Sequence, residues 1–270
     1  MKLQFTNNYR PRFDQISRIL QFLLDKQDVK KIAYKEIVEK LGIPLNQVES
    51  LFSMMGGFGL VKHRSGLITE VGKAIAKSDP YFEKIESIWV IHYIVSSNPE
   101  WVVWYRIVNN VIPTHDRYTI EGIDSNYFSD LRDKYSEKTI LDKLPKEIRA
   151  VLASYTRYDF SRLGIMLQDE DGNYLRGNQV DIPPSAFLFC LLYYRDCNSP
   201  GSSAINVNDI CIAENSPGCV LNLPEYQVRA LLDELHNRSL IRLERFANLD
   251  QIRIPENITQ QTALAEIYKG

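Results

Sequence analysis

Residues 79–110 read DPYFEKIESIWVIHYIVSSNPEWVVWYRIVNN. The stretch holds Trp89, Trp101 and Trp104, all three tryptophans of the chain, with Tyr81, Tyr93, Tyr105 and His92. Tyr81, Ile85, Ile88, Trp89, His92 and Tyr93 recur at steps of three and four, which predicts a helix with one aromatic face. Ser97-Asn98-Pro99-Glu100 is then a restart: Asn98 suits an N-cap, Pro99 the first helical position, and Glu100 the positive end of the helix dipole. A second helix follows with Trp101, Trp104, Tyr105 and Val108 on one stripe, ended by Asn109-Asn110. Helices joined this tightly fold back and bury their aromatics, so the stretch reads as a scaffold around which the rest is arranged.

Upstream, Phe13, Ile16, Ile19, Leu20, Leu23 and Leu24 predict an amphipathic helix to about Lys26. Residues 34–77 carry the sharpest local pattern. A helix from Tyr34 to Leu41 stops at Gly42, which suits a left-handed C-cap, and Pro44 blocks its continuation. A second helix turns Leu45, Val48, Leu51, Phe52 and Met55 inward until Gly56-Gly57. Leu60-Val61, a turn at Ser65-Gly66 and Leu67-Ile68 then read as a hairpin, and Thr69–Lys77 as a linker helix. Helix, tight turn, helix, hairpin is the order of a winged helix-turn-helix.

Two readings of that module stay open. In one, the second helix enters a DNA major groove and the wing touches the backbone. Asn46, Gln47, Glu49, Ser50 and Ser53 are then the outward positions, of which Asn and Gln can read adenine bidentately. Lys62, His63 and Arg64 of the wing, with Lys30, Lys31 and Lys35, form a basic rim. In the other reading the module is architectural, since the helix has no Lys or Arg and Glu49 repels phosphate.

Downstream, Pro113–Asn126 reads as a polar loop exposing His115-Asp116. Helices are expected at Tyr127–Tyr135 and Pro145–Tyr155, with the charged SEKTILDK between them, and Thr156–Arg162 reads as a linker. Ile165 and Leu167, the turn DEDGN, and Tyr174-Leu175 predict a hairpin. Its Asp169, Glu170 and Asp171 lack the ligand spacing of a calcium loop and read as a solvated turn. Pro183-Pro184 open an apolar helix, Ala186–Tyr194. Ile205–Ile210, the NSPG loop, a helix from Glu225 to Leu240 and a hairpin of Ile241–Leu243 with Gln251–Ile254 predict a second winged module. It carries Gln227, Arg229, Asn237 and Arg238, with Arg242, Arg245 and Arg253 nearby, as a second candidate DNA surface.

The 270 residues are 44% hydrophobic and 24% charged, an ordinary globular composition. A net charge of −2 gives no global attraction to nucleic acid or to an anionic membrane, so such binding needs local patches. No apolar run approaches the roughly 20 residues of a membrane span, and MKLQFTNNYRPRF lacks a signal-peptide core. A cytoplasmic protein without a membrane partner is expected. Cys190, Cys197, Cys211 and Cys219 are too widely spaced for a zinc site and read as reduced thiols.

The order Asp79-Pro80-Tyr81, Ile88 to Tyr93, Asn98-Pro99, Trp104-Tyr105 and Asn109 resembles family 4007 of the domains of unknown function. That family includes the SspB-type proteins of DNA phosphorothioation systems. Leu41-Gly42 and GLVKHRSGLITEVGKAIAKSDPY are similar to its wing and linker helix, and NSPG (Asn215 to Gly218) matches more loosely. The resemblance implies genomic company with sulfur-incorporating and phage-defence genes, and for SspB-type members a DNA-nicking role. Chains of that family usually open with Gly-His-Glu-Thr-Phe. The corresponding Phe5-Thr6-Asn7-Asn8-Tyr9-Arg10 has neither the His nor the Glu, which bears on whether nicking is retained.

The residues themselves show no Walker loop, no Gly-x-Ser-x-Gly and no nuclease Glu-x-Lys strand. His92, Tyr105 and Asn109 are the candidate catalytic residues, as a polar cluster of the scaffold facing a cleft. The alternative for His92 is a hydrogen-bonded core residue. The expected fold is mainly α with small β hairpins, an α+β protein. It divides into a winged helix over 1–78, a helical bridge over 79–158 and a winged-helix-like domain over 159–270. The expected function is a DNA-binding subunit of a bacterial phosphorothioation or related phage-defence system; if it is an enzyme, it is a nickase requiring a divalent metal. Double-stranded DNA and the other proteins of such a complex are the expected partners. A non-enzymatic assembly subunit and a winged-helix transcriptional regulator are the alternatives.

Overall fold

The computed structural model describes residues 3, 6, 9–26, 31–246 and 249–269. Phe5, Asn7, Asn8 and Lys30 fall outside this set. The chain forms two compact units, Met1–Val180 and Asp181–Gly270. Helices dominate both, and each has one three-stranded antiparallel sheet, so the fold class is α+β.

The first unit opens with α1 (Phe13–Leu24), α2 (Tyr34–Leu41) and α3 (Leu45–Gly57), close to the bounds expected from the apolar period. Gly42 stands at φ 67° and its N–H returns to the Val38 carbonyl, the left-handed cap that a side chain would disfavour. The hairpin that follows is shorter than its sequence predicts. Val61 and Ile68 form a single antiparallel bridge, closed by Lys62 N–H to Leu67 O at 2.7 Å and Gly66 N–H to Lys62 O at 3.0 Å. α4 (Glu70–Ser78) is capped by Thr69, whose hydroxyl accepts the Gly72 N–H at 3.0 Å. Gly72 packs directly on the hairpin root: a Cβ there would lie 2.2 Å from the Leu60 carbonyl oxygen.

α5 (Ile85–Ser96) is buried on every side from Ser87 to Ser96, so it has no solvent face at all. Tyr81, expected on its aromatic face, is instead 77% exposed. The chain turns at Phe82 (φ 56°), which takes the buried place. Asp79 fixes this turn, accepting the Glu83 N–H at 2.7 Å, the Lys84 N–H at 3.2 Å and the Ser87 hydroxyl at 2.6 Å. Arg162 donates to the carbonyls of Phe82 and Glu83 from across the unit. The Asp-Pro-Tyr signature is thus a helix-start clamp.

Asn98 accepts the Glu100 N–H at 2.9 Å, but the second hub helix, α6 (Val102–Arg106), opens later than Pro99. It runs into a π-helical turn, Ile107–Val111, where the Ile112 N–H reaches back to Ile107 O at 3.0 Å. Beyond it, the stretch expected as a polar loop forms structure. β1 (Arg117–Tyr118) pairs with Tyr174 and Leu175, and α7 (Ile120–Tyr127) starts at Thr119, whose hydroxyl accepts the Gly122 N–H.

The helix expected at Tyr127–Tyr135 is a short 3-10 turn, Ser129–Asp133. α8 (Glu137–Arg157) absorbs both SEKTILDK and Pro145. Its buried stripe of Ile140, Leu144, Ile148, Val151, Leu152 and Tyr155 is unbroken, so packing overrides the proline. The carbonyl that proline deprives of a donor belongs to Leu141, on the exposed side, where water can satisfy it. The expected linker Thr156–Arg162 is also structured: Asp159–Leu163 is a 3-10 turn that buries Phe160 and Leu163 completely. β2 (Met166–Gln168) and β3 (Tyr174–Arg176) form the expected hairpin in the register Leu167 to Leu175.

Phe160 is the centre of the first unit's core. Its ring lies 5.4 Å from Phe13 of α1, 5.7 Å from Phe58, and 5.4 Å from both Trp104 of α6 and Tyr155 of α8. Phe13 also meets Phe82 at 4.7 Å. Aromatic pairs at such separations add about 0.5–1.5 kcal/mol each to the burial of their area. The helices before the hairpin and those of the hub therefore share one aromatic core.

The second unit is built on α9 (Pro184–Asn198), whose positions 186–192 are all buried. β4 (Ala204–Asn206), α10 (Val207–Ile212), α11 (Pro217–Val220) and α12 (Glu225–Asn237) follow. β5 (Arg242–Phe246) and β6 (Leu249–Arg253) join β4 in the order β4-β6-β5, and α13 (Gln260–Tyr268) packs on α9. No helix among the described residues is long and apolar enough to cross a membrane.

Candidate functional site

The three candidate catalytic residues are linked through Ser96: His92 is fully buried, Tyr105 buried and Asn109 half-buried. His92 is fully buried on α5, with Nδ1 2.7 Å from the Tyr155 hydroxyl and 3.5 Å from the Ser96 hydroxyl. Trp104 donates its indole N–H to the same Tyr155 oxygen at 2.9 Å. An indole N–H can only donate, so the Tyr155 oxygen accepts from Trp104, and the same hydroxyl also meets His92 and Ser96. Burial pushes the Tyr155 pKa up, partly offset by hydrogen bonds from Ser96 and Trp104, so the phenol keeps its proton.

Asn109 joins this centre through the backbone. Its side-chain N–H group donates to Ser96 O at 2.7 Å and to Tyr105 O at 2.9 Å. It therefore caps the last turn of α5 from the π turn of the other hub helix. Tyr105 contributes a carbonyl to that cap and is itself buried. Tyr155 and Ser96, which complete the network, carry no signal in the sequence beyond lying on apolar helices.

The outward face of α3 is partly occupied. Asn46 donates to the Tyr9 hydroxyl at 2.8 Å, and Gln47 to the Gln15 side chain on α1 at 2.8 Å. Ser50 is buried and bonds back to Asn46 O at 3.1 Å, so it cannot face a groove. Glu49 remains exposed, as does Leu45.

The hairpin turn differs. Lys62, His63 and Arg64 are exposed, and Arg64 occupies the left-handed region at φ 75°. The Ile32 N–H donates to Ser65 O at 3.0 Å, which fastens the segment bearing Lys31 to the turn bearing Arg64. Lys35 is exposed at the start of α2. Among the described residues Lys31, Lys35, Lys62 and Arg64 make no ion pair, so their charge is available to an anion.

The arginines of the second unit are arranged oppositely. Arg229 pairs with Glu225 (2.7 Å) and Asp250 (2.8 Å), and these hydrogen bonds raise its pKa further. Arg238 meets Glu266 at 3.3 Å, Arg245 meets Asp233 at 2.9 Å, and Arg253 meets Glu244 at 2.8 Å. Arg242 is the most exposed, 3.9 Å from Glu244. Residues 181–270 hold 11 acidic side chains against 7 basic ones. The local cations are thus neutralised by their neighbours.

Cys190 and Cys211 are buried, Cys219 is half-buried and Cys197 exposed; burial pushes all four thiols up. Among the described residues no three His, Cys, Asp or Glu side chains come together as donors for a metal ion. Thr6 of the opening block bonds through its N–H and hydroxyl to the buried Glu147 carboxylate at 2.8 and 2.9 Å. Glu147 is used there to anchor the chain.

Fold and site together define an α+β protein of two units, in which a sealed aromatic and polar centre supports a small exposed basic turn. The chain belongs to the family described as "Protein of unknown function (DUF4007)", whose model matches residues 8–268. Its structure is similar to one described as "Magnesium ion-bound SspB crystal structure", with a TM-score of 0.76 and 16% identity over 98% of this chain and 87% of that one. A second, "SspB crystal structure", aligns with a TM-score of 0.77 and 15% identity over the same shares. A comparison with curated protein sequences gave no match.

Proposed function

We propose that this chain is a DNA-binding subunit of a bacterial DNA phosphorothioation or related phage-defence system, working in the cytoplasm. The observation that carries it is the basic rim of Lys31, Lys35, Lys62 and Arg64, free of ion pairs among the described residues, with His63 between them. Family membership and the likeness to SspB supply the system. In this reading the helix–turn–helix and hairpin of residues 34–68 act as a winged module whose turn rests on phosphates. Asn46 and Gln47 would have to leave Tyr9 and Gln15 to read a base, so contact is mainly with the backbone and weakly selective for sequence. His92 serves the scaffold, since no substrate can reach a fully buried imidazole, and Asn109 caps α5 through Ser96 O and Tyr105 O. The magnesium in the similar structure belongs to that protein. The described residues gather no donor set for such an ion, and no nicking step through a metal is assigned to them.

Fluorescence anisotropy of a short duplex across a salt series tests this. Binding that weakens steeply between about 50 and 200 mM salt is expected, with a slope near −0.9 per phosphate contacted. A flat salt response, or no binding at 50 mM, would overturn it.

A second reading, an assembly subunit that binds partner proteins, is favoured by the second unit. There the arginines are neutralised, and the side chains of Ile212, Tyr226 and Phe246 are exposed. Apolar side chains beside compensated charges suit a protein partner better than phosphate. Co-purification of defence-system proteins lost on Tyr226→Ala or Phe246→Ala would support it.

A further inference from the structure

In the first unit a cavity of about 330 Å³ opens among β1, α7 and the turn after β2. The hub does not line it. Its walls include His115, Arg117, Tyr118, Asn126, Tyr127 and Asn173. That volume is at the small end for a bound organic ligand.

Three ring side chains, His115, Tyr118 and Tyr127, contribute to the walls. The His115 ring stands at 64° to Tyr118 and 72° to Tyr127, with centroids 6.2 and 6.3 Å away. Both phenol groups are bonded elsewhere: Tyr118 donates to Ile112 O at 3.0 Å, and Tyr127 shares a 2.6 Å bond with Thr114. The tyrosine hydroxyls are therefore taken; Tyr127 keeps part of its ring exposed while Tyr118 is buried, and burial pushes Tyr118 up to about 12. Hydrogen-bonding capacity comes from three other side chains. Among the described residues the amide of Asn126 and the ring nitrogens of His115 have no protein partner. Asn173 uses its amide nitrogen on Asp169, leaving its carbonyl oxygen to accept.

Arg117 is the lining residue with a permanent charge. Asp169 at 2.8 Å and Asp171 at 3.6 Å both approach its Nη2, which compensates the charge, orients the guanidinium and leaves Nε and Nη1 able to donate. Ring side chains, amides that can meet a ring edge from either sense, and guanidinium N–H groups at the mouth are the complement of one nucleobase.

We propose that this cleft binds a single nucleotide through its base, whose edge meets Asn126, His115 and Asn173 beside the Tyr127 ring. The nucleotide is either free or an unpaired member of a DNA strand. The cleft and the basic rim share no residue, so the two assignments fail separately.

Isothermal titration of the full chain with dAMP, dGMP, dCMP and dTMP, and with single-stranded homo-oligomers of each base, tests it. Saturable binding of at least one probe is expected, weakened about tenfold or more by His115→Ala and by Asn126→Ala. Both positions are exposed, so circular-dichroism melting should match the parent. Binding of a mononucleotide makes the ligand free nucleotide; binding of an oligomer alone makes it an unpaired base. No binding by any probe, or binding that both variants leave intact, overturns the proposal. A chain that takes a mononucleotide but ignores duplex DNA keeps this assignment and removes the duplex-binding one.

Discussion

The Tyr155 hydroxyl on α8 sits 2.7 Å from His92 Nδ1 on α5 and receives the Trp104 indole proton from α6 at 2.9 Å. One oxygen thus ties three helices together in the driest part of the first unit. Buried polar groups bonded to one another specify a single packing, because slipping any one helix strands the others' donors and acceptors.

Tyr155→Phe keeps the ring and removes that oxygen. A loss of about 1–3 kcal/mol is expected, the cost of withdrawing a partner from buried polar groups. Urea denaturation measures it, and a variant with the parent's midpoint would mean the oxygen contributes nothing to stability.

Phe160→Ala should be costlier, about 3–5 kcal/mol, because the ring fills the junction of Phe13, Phe58, Trp104 and Tyr155. A decrease below about 1 kcal/mol in the same assay would show that the surrounding rings close the space without strain.

Lys62→Ala combined with Arg64→Ala should weaken duplex binding about equally for all sequences. The salt slope should shrink by roughly 0.9 for each phosphate that the variant no longer neutralises. Arg229→Ala should barely alter that slope, since Glu225 and Asp250 already neutralise this guanidinium. Anisotropy titrations at several salt concentrations separate the two outcomes, and a larger change from Arg229→Ala would move the binding surface to the second unit.

Arg106 hydrogen-bonds the Asp130 carboxylate through both terminal nitrogens and holds its pKa well below the usual carboxylate range. With the folded value below an unfolded value of about 3.9, the pair stabilises the fold above roughly pH 5 and ceases to do so as pH falls through the depressed value. Asp130 is half exposed, so the contribution is under about 1 kcal/mol. Thermal melts from pH 7 to pH 2 should show the parent's lead over Asp130→Asn narrowing as acid is added; a lead that widens would contradict this linkage.

The helices were legible wherever apolar positions kept one period, as in α1 to α4, because a single buried stripe leaves a solvent-facing remainder to contrast with. α5 has no such contrast. Its burial all round erases the phase that would have excluded Tyr81. Pro145 and the charged SEKTILDK misled for another reason: local propensity is worth less than the packing of Ile140, Leu144 and Ile148. Phe160 was hidden in a stretch with linker-like composition, since one ring in a 3-10 turn makes no pattern.

The candidate site was legible in part. The basic residues of the hairpin turn are visible as letters, but the bond from Ile32 to Ser65 that gathers Lys31 beside them depends on the tertiary fold. The C-terminal arginines were equally visible, and their charge is cancelled by carboxylates up to 28 positions away in the chain. Composition counts charges without saying which ones meet.

The turn at Ile107–Val111 makes the chain sensitive to length at this point. A π turn holds one residue more than an α turn would. Deleting Asn110 would let an ordinary helix close, yet would swing whatever follows by about 100° around the axis. The strand and helix from Arg117 to Tyr127 would arrive on the wrong side. Relatives with a gap here should therefore lack this β1–α7 arrangement, whatever else of the fold they keep.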